Sequence, residues 1–189
     1  MDFTFPPVRE ALVFLPFVLP IAIWVAWSDM ARMKIPNKAV LAMAALWPLL
    51  GWLVFPWQLW LMGFAIMAIV LLAGFIGNAA GLFGAGDAKF AAAMAPIFTA
   101  GDPMFIAMLY AVCSLAAFAV HRGLRQVPAV RRMTPEWKSW THNKFPMGLA
   151  LASMVVIYLL AAFLPQGLSL IHISEPTRRT PISYAVFCL

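Results

Sequence analysis

Long apolar runs alternate with short polar connections along this chain, and that alternation sets the elements to expect. Six runs reach bilayer-crossing length, about 17–25 residues each. They are Ala11–Ser28, Asn37–Phe55, Trp57–Gly77, Leu82–Ala100, Pro103–Val120 and Pro146–Leu164. A backbone in lipid must satisfy its own hydrogen bonds, and a helix does so within one segment. The pattern therefore predicts an all-α polytopic membrane protein of about six transmembrane helices. Trp24, Trp27, Trp47, Trp52, Trp57 and Trp60 fall toward the ends of runs and are expected to form an interfacial anchoring belt.

Composition supports the pattern. The chain is 64% hydrophobic and 11% charged, whereas a soluble domain is about 25% charged. Residues 1–167 are expected to form one membrane domain. Met1–Glu10 has Asp2 and Glu10 against Arg9 alone, and no small-residue cleavage site follows the first run, which is expected to be a retained span and not a signal peptide. After Pro165 the composition changes. Glu175, Arg178, Arg179 and the prolines at 176 and 181 rule out a seventh span. Residues 168–189 resemble translated sequencing-adapter DNA and are expected to be a non-native tail.

The net charge of +6 does not point to nucleic acid, because the cations lie between spans. Arg32, Lys34 and Lys38 follow the first run, Lys89 lies near the fourth, and Arg122, Arg125, Arg131, Arg132, Lys138 and Lys144 fill the connection before the last. The other side holds Arg9, with Arg178 and Arg179 in the tail. The positive-inside rule then puts the amino terminus outside and the basic connections in the cytoplasm. The longest basic loop, which includes Trp137 and Trp140, is expected to lie along anionic lipids.

Cys113 and Cys188 have no CxxC neighbour, and His121, His142 and His172 form no HExxH or paired motif. No metal and no cofactor is expected. The acids are more informative. Of seven, Asp2 and Glu10 belong to the amino-terminal segment, Asp102 to a Gly-Asp-Pro turn expected to be solvated on the far face, Glu136 to the basic loop and Glu175 to the tail. Asp29 and Asp87 stand at the ends of apolar runs, where a carboxylate costs roughly 2.5–3.5 kcal/mol. The topology puts both near the cytoplasmic face. Asp87 is expected about five residues into its span, on the order of 7–8 Å along a helix that begins near Leu82. Gly84 and Gly86 weaken that helix. They line a wet cavity on one reading and permit close helix packing on the other.

Two carboxyl groups facing one another can share a proton, one acting as base while the other stays protonated as acid. The base activates water, the acid protonates a peptide carbonyl, and the roles reverse as the amine leaves. Such chemistry needs neither metal nor Ser, Cys or His. Paired intramembrane acids also serve proton relays, which keeps a proton-coupled small transporter open as an alternative.

Local motifs add a resemblance. Ser28-Asp29-Met-Ala-Arg32-Met-Lys34-Ile35-Pro36-Asn37 resembles the D-x-x-x-R-x-I-P-N region of type IV prepilin peptidases, with Arg32 three positions after the acid instead of four. Gly84-Ala85-Gly86-Asp87-Ala88-Lys89 is similar to that family's G-x-G-D-x-K segment, and Phe145-Pro146-Met147-Gly148 to its Pro-Tyr-Gly. The resemblance implies a GxGD aspartic peptidase fold, with Asp29 and Asp87 as catalytic acids. It also implies prepilin substrates, each a basic leader before a hydrophobic helix, cut at the cytoplasmic face of the bacterial inner membrane. Larger members carry a cytoplasmic insertion after the first span and also methylate the new amino terminus. That insertion is absent here, which resembles the small branch serving Flp/Tad pili and implies no N-methyltransferase activity.

Gly84, Gly86, Lys89, Pro36 and Asn37 are expected to support the site. Pro36 is expected to start the second helix, and Asn37 to bond the loop backbone or orient Asp29. Lys89 either tunes Asp87 or snorkels to phosphates, while Arg32, Lys34 and Lys38 are expected to set topology. A presenilin-like or signal-peptide-peptidase-like protease is the nearest alternative. It fits the Gly-rich aspartate segment, but no Tyr-Asp precedes that segment and no Pro-Ala-Leu occurs in the last span. Against the transporter, both acids lie near one face and no internal repeat is evident.

Overall fold

A computed structural model describes residues 6–141 and 145–164. The tail at 168–189, Asp2, His142, Lys144, His172 and Cys188 lie outside the described residues. The described residues form helices and turns with no strand among them. The helices are α1 (Val8–Arg32), α2 (Asn37–Leu46), the single turn α3 (Trp52–Val54), α4 (Trp57–Ala79), α5 (Ala85–Met94), α6 (Pro103–Gln126), α7 (Pro128–Met133) and α8 (Met147–Ala161).

Four stretches are long and apolar enough to cross a membrane: Val8–Arg32, Asn37–Val54, Trp57–Ala79 and Pro103–Gln126. The other two predicted spans are shorter. The run predicted over 82–100 begins only at Ala85, and α5 gives way at Ala95 to a 3-10 turn, Ala95–Phe98. Gly81 has a φ of 74° and Gly84 is extended, so the chain between them turns instead of coiling. Pro96, lacking an N–H, suits the tightened end. The last run is helical over 15 residues, Met147–Ala161.

The core lies between α1 and α8, with α6 packed on the far side of α8. Phe14, Val18, Ala22 and Val25 recur at helical spacing on α1 and are all buried. They join Leu151, Val155 and Tyr158 of α8 in one cluster. α5 sits between α2 and α4, and also touches α8.

The tryptophan belt needs one correction. Trp24, Trp27, Trp52 and Trp57 are exposed, as lipid-interface residues would be, but Trp47 is buried. Its indole N–H donates to the Trp60 carbonyl at 3.0 Å, and the Trp60 indole donates back to the Trp47 carbonyl at 3.3 Å. Pro48 cannot supply its rung of the helical ladder, and Trp47–Gly51 widens into a π-helical turn. That change of pitch accompanies the inward turn of the Trp47 ring. A side chain at Gly63 would collide with that ring, its Cβ overlapping Cζ2. Trp140 also points inward: it is buried, stacks on His121 and donates to the Thr134 carbonyl at 3.0 Å. Asp102 is a helix cap as well as a turn residue, accepting from the backbone N–H groups of Met104 and Phe105 at the start of α6.

Candidate active site

Three helix ends converge around the two apolar-segment acids. The first is the carboxyl end of α1. The sequence reading puts Asp29 at the start of a loop, but α1 continues through Arg32 and Asp29 occupies its last turn, 5% exposed. Arg32 in that turn suits the negative end of the helix dipole. The helix stops at Met33, which is left-handed with φ 55° and donates its N–H to the Asp29 carbonyl at 2.8 Å. Ser28 Oγ donates to the Lys34 carbonyl at 2.8 Å and folds the exit back on the helix. Pro36 is the N-cap of α2 and not its first residue, so the helix starts one residue later than Pro36 was expected to start it; its carbonyl accepts from Ala39 and Val40.

The second end is the amino terminus of α5. Asp87 lies in its first turn, where the helix dipole favours an acid. The expectation that Asp87 stands five residues inside a helix is therefore corrected: Gly84 is the N-cap, not an interior glycine. A Cβ on Gly84 would lie 2.8 Å from Asp87 Oδ2. Gly86 differs, since a Cβ there would meet Ile35 at 3.4 Å, an ordinary contact.

The third end is the amino terminus of α8. The Gly148 N–H donates to Asp29 Oδ2 at 2.7 Å, a buried bond across 119 positions of sequence. Each carboxylate is thus served by a helix amino terminus, Asp87 by its own helix and Asp29 by α8.

Both acids line one cavity of about 360 Å³. Gly84, Gly86, Asn37 and Lys89 line it too, so the structure gathers every predicted site residue except Pro36, which stays at the cap of α2. Asn37 and Lys89 are exposed at its margin. Met33, Lys34 and Ile35 also line the cavity without having been singled out for the site. Its lining mixes apolar side chains with two carboxylates and the amines of Lys34 and Lys89, and among the described residues it includes no Ser, Cys or His.

Residues 16–120 match the type IV leader peptidase family. The chain belongs to that family. The match spans both Asp29 and Asp87 and stops short of Gly148. No curated protein and no solved structure matches the chain. A leader peptidase must bring water to a peptide bond, and this cavity brings together two acids, one from α1 and one from α5. Gly148 is the residue that sequence reasoning passed over. The Pro-Met-Gly motif placed it at the start of the last helix, but no spacing rule links that position to Asp29.

Proposed function

We propose that this protease of the type IV leader peptidase family is an aspartic endopeptidase whose catalytic acids are Asp29 and Asp87. The observation that carries the reading is their meeting in one cavity from helices far apart in sequence. One carboxylate takes a proton from water as the water oxygen bonds to the scissile carbonyl carbon. The other, protonated, gives its proton to the carbonyl oxygen. Collapse of the tetrahedral intermediate breaks the C–N bond: the amine leaves with the proton held by the first acid, and the second carboxylate takes back the hydroxyl proton as the new carbonyl forms. The Gly148 N–H holds one lone pair of Asp29 throughout, leaving the other oxygen to the reaction. Gly84, Gly86, Lys89 and Asn37 shape the cavity and its rim, and Pro36 supports it from the cap of α2.

The substrate in this reading is a Flp/Tad-type prepilin, a basic leader followed by a hydrophobic helix, cut at the cytoplasmic face of the inner membrane with the peptidase amino terminus outside. The Lys and Arg distribution supports that orientation, and the basic loops would engage anionic lipids. Only Met33–Pro36 separates α1 from α2, which supports assignment to the small branch without N-methyltransferase activity. Co-expression with prepilins encoded nearby tests the reading. Wild-type protein should convert prepilin to a faster-migrating form, whereas Asp29→Asn and Asp87→Asn should insert normally and leave the prepilin intact. Normal processing by either variant would refute the dyad, and a methylated mature amino terminus would refute the transferase assignment.

A further inference from the structure

A second, larger cavity of about 620 Å³ meets the first at Asp87, which lines both. It is an apolar groove. Its walls are α4, through Ile66 and Val70, and α6, through Ala107 and Tyr110. α4 packs closely on α5, where Gly74 meets Ala88, and α6 packs on α8, but α4 and α6 share no substantial packing with each other. The floor is Ala88, Ala91 and Ala95 of α5 and its 3-10 turn, with Leu151 of α8 alongside. From Asp87 to Thr99 the floor runs about 18 Å, or three helical turns. Small residues on such a floor let another helix's backbone come close.

We propose that this groove receives the membrane-embedded apolar helix of the peptide substrate, on the carboxyl side of the bond that is cut. The proposal rests on reading the Asp29–Asp87 cavity as the cleavage site. A peptide leaving that cavity into the bilayer needs an apolar path that starts at the acids, and this groove starts at Asp87. Charge argues against a phospholipid as the occupant. Asp87 is the charged residue in the groove's lining, and a lipid chain seated there would bring its phosphate toward a carboxylate. A peptide brings neutral amide groups to the same point. Met147, next to the Gly148 that holds Asp29, lines the groove as well and ties its upper end to both acids.

The probe is a synthetic peptide with a basic leader followed by about 20 apolar residues, reconstituted with the full chain in phosphatidylcholine–phosphatidylglycerol vesicles. A photoreactive benzophenone side chain at position 107, in an Asp87→Asn background, should form an adduct with the peptide's apolar segment, mapped by mass spectrometry. Adducts with lipid alone, with a second copy of the protein, or with nothing would overturn the proposal. In active protein Ala107→Trp should slow cleavage of the peptide by about 100-fold. Leu72→Trp, on an exposed face of α4 outside the groove, should cleave normally. Wild-type rates for Ala107→Trp would also overturn the groove assignment. Failure of the wild-type protein to cleave, with the adduct still formed, would instead refute the peptidase reading and leave the groove standing.

Discussion

The backbone N–H of Gly148 is bonded to Asp29 Oδ2 at 2.7 Å, and a side chain at Gly148 would run into that same carboxylate. A Cβ there would lie 2.8 Å from Oδ2 and 3.0 Å from both Cβ and Cγ of the aspartate. The amino terminus of α8 therefore fixes the position of one proposed catalytic acid through main chain alone.

Gly148→Ala should push Asp29 out of place. Misplacement of about 1 Å can cost about 100-fold in rate, so leader cleavage should fall by that order. Overpacking at this buried point should also lower stability by about 1–3 kcal/mol. A cleavage assay combined with thermal unfolding in detergent separates the two effects. Full activity would show that the contact does not position Asp29.

The two glycines before Asp87 should behave differently. Gly84→Ala must displace the Asp87 carboxylate, the end of a movable side chain, so activity should drop sharply while the unfolding midpoint barely moves. Gly86→Ala meets Ile35 at an ordinary distance and should retain most activity. Equal loss in both variants, measured at matched expression, would contradict the geometry.

Gly63→Ala tests the Trp47–Trp60 pair far from the acids. The new methyl would overlap the Trp47 ring and force it from its reciprocal hydrogen bonds, each worth about 1 kcal/mol. Overpacking adds about 1–3 kcal/mol. Thermal unfolding should shift down clearly, and a midpoint within error of wild type would show that the ring can move freely.

Met33 stands in the left-handed region, which costs a non-glycine residue roughly 1–2 kcal/mol. Met33→Gly removes that strain but makes the unfolded chain more flexible, by about 0.5–1 kcal/mol. Stability should stay level or rise slightly. Met33→Val, β-branched, should fall in stability. Denaturation midpoints of the two variants should therefore bracket wild type, and the reverse order would show that the exit from α1 is not strained.

The pair of acids was legible because acids are rare in this chain and each stood beside an apolar run with a recognisable motif. Helix limits were less legible. Composition marks where apolar residues are, but Met33 and Gly84 end and start helices through backbone conformation. Trp47 was misplaced for a related reason: nearness to a span's end says nothing about which way an indole faces once Pro48 has changed the helical pitch. The Asp29–Gly148 bond was not legible, since it joins positions without a shared periodicity.

α5 with its 3-10 turn covers only 85–98, on the order of 20 Å, beside α4, which is long enough to cross a bilayer. Hydrocarbon about 30 Å thick cannot match both. Where two such helices share one bilayer, the shortfall is made up by thinned lipid or by water at an end of the shorter one. With Asp87 in the first turn of α5, the proposed hydrolysis is expected to slow in vesicles of longer-chain lipid and to quicken in shorter-chain ones.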